Sequence, residues 1–528
     1  MKALLMYRDR DFDPEQLLRG AMYPYRKDLE RRRPMTSHEQ ALIQDLELHS
    51  LLSSMSINDE FLVEVARKAL LDGLWNDVDT ILYRQQILKD CLRNPAVISA
   101  LYDLTVEALT RARKHWWGSH YASSLLYDSL DVLESLLGML RKLRSIAEDQ
   151  AGRFESEGFT VLFGMLRKEL AEDYLASMQN YLAGSRFRKG LLLSAELGVW
   201  NESTNYVLRQ AQGKDPTWLQ RLFGKRPPGY TFHLAERDEA GARILSGMRS
   251  RAISRVAIAL AESARHVLSF FEMLRTELAF YVGCLNLHGR LAAKEEPVCF
   301  PVPTSGGSRS HHFKGLYDIC LSLHMENRVV GNAIDGDGKK LVIITGANQG
   351  GKSSFLRSIG VAQVMMQSGM FVGAEAFQAE LCRGLFTHYK REEDVTMKSG
   401  KFDEELTRMS QIVDHLGPGS VILLNESFAA TNDREGSEIA RQIVSALLEK
   451  DIKVFFVTHL YEFARGFFDG KLSDAIFLRA ERKADGTRTF RLLEGEPLET
   501  SYGEDLYREV FADARLKSQV DASTAVAV

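Results

Sequence analysis

The chain reads as a multidomain protein, with a mainly α-helical part leading into an α/β domain of the ABC-like P-loop kind. Three observations predict this. A length of 528 residues exceeds what one hydrophobic core holds, so two to four domains are expected. Apolar residues recur at helical spacing, with Gly and Pro sparse, from about Asp45 to Ala183 and again from Glu239 to Leu291. Beyond CFPVPTSGGSRS, strand-like apolar runs alternate with helical segments, as a mostly parallel sheet demands.

The most informative element is LVIITGANQGGKSSFLRSIGVAQ, in which a strand (Leu341 to Thr345) enters a Gly-rich turn and then a helix (Ser353 to Met366). The phosphate-loop pattern G-x-x-x-x-G-K-[ST] is met by Gly346, Gly351, Lys352 and Ser353. Glycines let backbone N–H groups close around phosphates, and the positive end of the following helix points at them. The whole stretch Gly346, Ala347, Asn348, Gln349, Gly350, Gly351, Lys352, Ser353 and Ser354 is therefore the expected ATP-binding segment. Lys352 would reach the β- and γ-phosphates, and the Ser353 hydroxyl would ligate magnesium.

The other elements follow in order. Residues 1 to about 40 are rich in charge and aromatics without a steady period, so an irregular, loosely docked arm is expected up to residue 44. A helical domain then spans 45–183. Between Gly184 and Gly229 the pattern breaks: KGLLLSAELG and STNYVLRQ are strand-like, and GKDPTWLQRLFGKRPPGY is rich in turn residues, which predicts a small insert over 184–235. A long proline-free run predicts one helix, a strut, within 236–292. The α/β domain occupies 293–528. Within it VILLN (421 to 425) and KVFFVT (453 to 458) read as buried central strands, and AIFLRAERKADGTRTFRLLEG as a hairpin turning at Asp485-Gly486.

Composition is that of an ordinary globular protein, 45% apolar and 26% charged with a net charge of −4, which excludes a disordered or fibrous chain. The five cysteines lack zinc-site or paired spacing, and no apolar run is long enough to span a bilayer, so a cytoplasmic protein with no membrane partner is expected. A near-neutral total does not exclude nucleic acid. Basic groups sit at Arg111, Arg113 and Lys114 beside Trp116 and Trp117, at Arg186, Arg188 and Lys189, and at Arg221, Lys225 and Arg226. Each alone is more simply a solvated face than a DNA contact.

VILLNES places Asn425 and Glu426 at a strand end, where a nucleotide hydrolase keeps its magnesium-side acid and its water-activating glutamate. His459 ends the next strand in FFVTHL, positioned to sense a γ-phosphate. Polar groups at the ends of three adjacent strands favour a site over three satisfied core residues.

These residues resemble the MutS family of DNA mismatch-repair ATPases. TGANQGGKSSFLR is similar to that family's TGPNMGGKST loop, FFVTHLYEF to its Thr-His-Tyr strand end, NESFAATNDREG to its acidic strand end and loop, and SYGEDL to its Ser-Tyr-Gly turn. Asn332 matches the Asn preceding the nucleotide strand, and LHSLLSSMSINDEFLVEVARKALLDGLWNDVDTILYRQQILKDCLRNP resembles the start of its helical core. The resemblance implies a helical core and lever feeding an ATPase domain, working as a homodimer with composite nucleotide sites. It implies a member without the N-terminal mismatch-recognition and connector domains, and with a clamp reduced to the short insert. DNA is the implied partner, as branched or recombining duplexes rather than mismatches. In the implied roles Glu426 polarises the attacking water, His459 and Asn348 contact the γ-phosphate, and Asn425 holds Mg2+ through water.

Two departures touch catalysis. Asn425 stands where the family has Asp, which removes a charge from the magnesium side. Gly400-Lys401-Phe402 stands where the family has its Ser-Thr-Phe signature, facing the nucleotide of the partner subunit; Lys401 either offers its ammonium there or reflects drift on a surface loop. Two functions are therefore carried forward: a slow ATP hydrolase acting on DNA, and an ATP-gated DNA-binding or scaffold protein with little or no hydrolysis. A transporter is disfavoured, because no LSGGQ-like signature is present.

Overall fold

The computed structural model describes residues 1–12, 35–115, 121–187, 190–200, 203–209, 233–235, 237–391, 400–483 and 487–498. From the N-terminus the helices are α1 (Ser37–Asp45), α2 (Leu48–Ser56), α3 (Glu60–Gly73), α4 (Val78–Arg93), α5 (Pro95–His115), α6 (Ala122–Gln150), α7 (Glu157–Glu169) and α8 (Glu172–Ser185). An antiparallel pair, β1 (Leu192–Leu197) with β2 (Ser203–Arg209), precedes α9 (Glu239–Ala293). Contacts divide the chain into two units, one built mainly on Ala96–Leu278 and the other on Leu5–Asp9, Arg31–Pro95 and Ala279–Val528.

In the first unit α6 buries Leu126, Leu130, Leu133, Leu137 and Leu140, a stripe at three- and four-residue spacing that packs on α7 and α8. Phe154, Phe159 and Phe163 close that core with ring centroids 4.5 to 5.6 Å apart. The expected long helix is present: α9 has 55 residues, roughly 80 Å at 1.5 Å per residue. It buries Ala257, Ala261, Ala264, Leu268, Phe271 and Leu278, a seam that keeps one face inward there, whereas 239–251 has no buried position. The insert's two strand-like segments do pair, as β1 and β2. The remainder of the insert, 210–232, lies outside the described residues.

The second unit holds the α/β part. Its six-stranded sheet runs in the order β12 (Arg488–Glu494), β11 (Ala475–Arg482), β6 (Leu341–Thr345), β10 (Lys453–Val457), β9 (Val421–Asn425), β8 (Leu385–Tyr389). All neighbours are parallel except the β11–β12 hairpin, whose turn at Asp485-Gly486 lies outside the described residues. A second sheet has the order β3 (Val302–Thr304), β7 (Ala376–Glu380), β4 (His311–Leu316), β5 (Asn332–Asp335). Helices α10 (Ile319–His324), α11 (Lys352–Gln367), α12 (Lys401–Val413), α13 (Asp433–Glu449) and α14 (Tyr461–Asp469) complete the unit. Leu341, Ile343, Ile422, Leu424, Val454 and Phe456 are buried against Ala440, Val444 and Leu447 of α13 and Phe463 and Phe467 of α14. Continuous apolar strands of this kind are what a sheet covered on its faces requires.

The N-terminal stretch differs from expectation. Leu5 and Met6 are fully buried; the Tyr281 hydroxyl donates to the Leu5 carbonyl at 2.5 Å and Arg84 Nε to the Met6 carbonyl at 2.9 Å. The segment is docked, because the apolar run ALLMY has more to gain from burial than its charged neighbours cost. Helical structure also begins earlier than Asp45, at Ser37, where Thr36 and Glu39 form a reciprocal capping box. Residues 13–34 of the expected arm lie outside the described residues. Among the described residues no helix is long and apolar enough to cross a membrane.

Candidate functional site

Parallel pairing brings the C-terminal ends of β6, β10 and β9 to one edge of the sheet, since Ile344 pairs with Val457 and Val457 with Asn425. Loops leaving such an edge are where open α/β sheets bind ligands. Between β6 and α11 the chain turns through positive φ at Gly346 (116°), Gln349 (60°) and Gly351 (86°). A Cβ on Gly346 would lie 2.9 Å from the Ala480 nitrogen, and one on Gly350 2.8 Å from the Ala480 Cβ. The loop is pressed against β11, and only glycine fits there. Gly351 then caps α11, whose first residue is Lys352.

Lys352 is 4% exposed, and its Nζ donates to the carbonyls of Gly346 and Ala347, both at 2.9 Å. Burial lowers its ammonium to about 8, with the Glu426 carboxylate opposing the shift. Next to it the Ser353 hydroxyl donates to Asn425 Oδ1 at 3.1 Å. Glu426 has φ of 53°, and its N–H donates to the Val457 carbonyl at 2.8 Å, which fixes this strained turn to β10. His459 Nε2 lies 3.0 Å from Glu426 Oε1 and 3.5 Å from Lys352 Nζ. Its hydrogen bond holds the Glu426 carboxyl below the ordinary range, against the effect of burial.

The structure thus brings Lys352, Ser353, Asn425, Glu426 and His459 together as two adjacent sets, Ser353 with Asn425 and His459 with Glu426 and Lys352. Ala347 and Gly350 are buried in the loop, Ser354 is half-buried, and Asn348 and Gln349 are exposed. A cavity of about 450 Å³ lies in front, lined by the loop from Asn348 to Ser354, by Glu426, and by an apolar wall that includes Tyr317, Leu321, Met325 and Phe490. Among the described residues no three His, Cys, Asp or Glu side chains converge to hold a metal. The oxygens at hand are the Ser353 hydroxyl, the Asn425 amide and the Glu426 carboxylate. Such a set suits a hard cation that keeps several waters.

Sequence reasoning named Asn332 without its contacts and missed Arg488 and His388, the other groups that hold this edge. Asn332 donates through Nδ2 to the Phe490 carbonyl at 3.2 Å and accepts the Leu492 N–H at 2.8 Å, so a side chain completes the pairing beside β12. Arg488 donates to Gln349 Oε1 at 2.5 Å. Behind Glu426, burial pushes His388 down to about 4, so it is neutral; its Nε2–H donates to the Glu405 carbonyl at 3.1 Å and its Nδ1 accepts from the Ser427 hydroxyl at 2.7 Å. The signal was a histidine inside β8, LFTHY, whose burial alternates with half-buried positions.

Gly400 caps α12 and Phe402 packs on the sheet core, so Lys401 stands at the start of that helix. Of the basic clusters, Arg186 is taken up by Asp131 at 2.5 Å and Glu134 at 2.8 Å, and Arg111 by Glu107 at 2.5 Å. Trp116, Trp117, Arg188, Lys189, Arg221, Lys225, Arg226 and the SYGEDL turn lie outside the described residues.

Comparison with known proteins agrees with the resemblance. A family model described as the MutS2 N-terminal domain matches residues 76–294, and one described as MutS domain V matches residues 342–514. Among similar proteins, "MutS protein homolog 4" of Mus musculus is 29% identical over 168 residues, 32% of this chain and 17% of that protein. "DNA mismatch repair protein MutS" of Syntrophomonas wolfei is 31% identical over 194 residues, 36% of this chain and 22% of that protein. The matched stretches are therefore short fractions of those relatives.

Proposed function

The chain belongs to the MutS family, and from that premise we propose that it binds and slowly hydrolyses ATP in the loop from Gly346 to Ser354, as an ATP-switched homodimer acting on DNA. The observation that carries this reading is the linked set Lys352–His459–Glu426 beside a glycine-shaped loop at a helix N-terminus. In it Lys352 exchanges its two carbonyl partners for the β- and γ-phosphate oxygens, and the loop N–H groups hold the triphosphate. Glu426, kept ionised by His459, orients a water whose oxygen attacks the γ-phosphorus while the bond to the ADP oxygen breaks. The proton leaves toward the Glu426 carboxylate, and His459 with Asn348 contacts the transferred phosphoryl group. The residues fit a magnesium ion: Ser353 would hold it, with Asn425 acting through water, and when bound it would neutralise phosphate charge.

The remaining parts take these roles: an N-terminal arm over 1–44, a helical core and lever over 45–183, a clamp-like insert over 184–235, a strut over 236–292 and the ATPase domain over 293–528. Branched or recombining duplex is the proposed DNA, and the cytoplasm the proposed location. A second reading, an ATP-gated scaffold with little hydrolysis, is favoured by one observation: the Ser353 hydroxyl meets a neutral amide at Asn425, not a carboxylate. Steady-state ATP turnover with and without branched and linear duplex separates the two. Turnover stimulated by DNA supports the ATPase, and ATP binding without turnover supports the scaffold.

A further inference from the structure

The strands that end at the candidate site begin around a second cavity, of about 240 Å³, at the opposite edge of the sheet. Arg309, Lys339, Lys340 and Lys453 line it against two carboxylates, Glu380 and Asp451. Three of these cations are engaged. Asp451 accepts Lys340 at 2.8 Å and Arg309 at 3.2 Å, and Lys339 donates to the Ser473 carbonyl at 2.7 Å. Glu380 meanwhile accepts the Gly307 N–H.

Lys453 differs. Among the described residues its ammonium has neither an ion pair nor a hydrogen bond, and it lies 5.7 Å over the Phe455 ring. Burial pulls it down to about 8, with Glu380 and Asp337 opposing. His311 packs on the same Phe455 ring at 5.2 Å; it is 4% exposed, it lines the cavity, and its Nε2 is buried with no hydrogen-bond partner. Burial also keeps this imidazole neutral, well below its ordinary value. A half-buried cation that faces a cavity without a partner of its own is placed to receive an anion.

We propose that this cavity is a binding site for a small phosphate-class anion, held by Lys453 with Arg309 and Lys340 at its mouth. Four cations from three separate segments suit a compact ion with oxygens on several sides better than a single carboxylate. Two acids against four bases leave the cavity net positive, and the ligand supplies the missing negative charge. The site is independent of the nucleotide reading.

The test is calorimetric titration of inorganic phosphate and of pyrophosphate into the full chain carrying Lys352→Met, which weakens anion binding at the Gly-rich loop. One saturable site is expected. Lys453→Gln added to that background should weaken it at least tenfold, the loss of a hydrogen bond to a charged group. Arg309→Gln should weaken it several-fold, and Asp451→Asn, which frees two cations, should tighten it. Absence of saturable binding of either anion, or unchanged affinity in both Lys453→Gln and Arg309→Gln, overturns the proposal. If Lys453→Gln does not fold, Arg309→Gln, at a side chain 46% exposed, decides alone.

Discussion

The two ends of β6, β9 and β10 are built from the same strands under opposite rules. At the C-terminal ends the backbone is held in left-handed conformations, at Gly346, Gln349, Gly351 and Glu426, and the polar side chains are spent on one another. At the N-terminal ends left-handed residues also occur, at Arg309, Gly338, Gly419 and Asp451, but here charged side chains collect around Asp451 in place of a closed polar set. The difference teaches that one sheet can commit its polar side chains to one another at one edge and gather positive charge at the other. What marks the C-terminal edge is a glycine turn that opens directly into a helix N-terminus, where main-chain donors can meet a ligand.

The sharpest way to break this comparison is Glu426→Gln. Turnover of ATP should fall by roughly 10²- to 10⁴-fold, the usual worth of a positioned acid–base group, while ATP affinity stays within a few-fold. Steady-state kinetics beside an equilibrium titration would show it, and equal losses in both would move Glu426 from the chemistry to binding.

Strain itself is tested by paired alanines. Gly346→Ala should destabilise the fold by about 1–3 kcal/mol, because a Cβ there meets the Ala480 nitrogen at positive φ. Gly338→Ala, at φ of 74° before β6 with open space around it, should cost only about 1 kcal/mol. Urea unfolding of both variants gives the contrast, and equal costs would remove it.

The depressed Lys352 ammonium predicts opposite slopes for binding and stability. Binding to a triphosphate needs the proton, so ATP affinity should be level below about 8 and fall as much as about tenfold per pH unit above it. The free protein should gain stability between about 8 and the ordinary lysine value of 10.5, where only the unfolded chain still holds that proton. Titrations and chemical unfolding at pH 7 and 9.5 read both slopes. The smallest effect is expected from Asn425→Asp, which restores a charge beside Ser353 and should lower the Mg2+ needed for half-maximal turnover several-fold. A rise in maximal turnover as well would favour the scaffold reading of the parent chain.

Legibility followed the same division. The loop from Gly346 to Ser353 could be found in the sequence because each glycine there answers a local need, and the strands ending at Asn425 and Val457 because buried parallel strands are rich in apolar residues. Contacts made at long sequence range were invisible. Nothing near Leu5 and Met6 announces that Tyr281 will hold the one and Arg84 the other, and nothing near Arg186 shows that Asp131 and Glu134 will occupy it. The clamp of Asn332 on β12 and the neutral His388 behind Glu426 have the same character. Each depends on a register that only the folded sheet supplies.

The most direct test of the central claim is equilibrium titration of ATP with Mg2+ into the wild-type chain and into Lys352→Met. The account predicts one saturable site per chain, weakened about 10- to 100-fold when the charged hydrogen bonds of Lys352 are removed. Equal affinity in the two proteins would contradict it and place any nucleotide elsewhere.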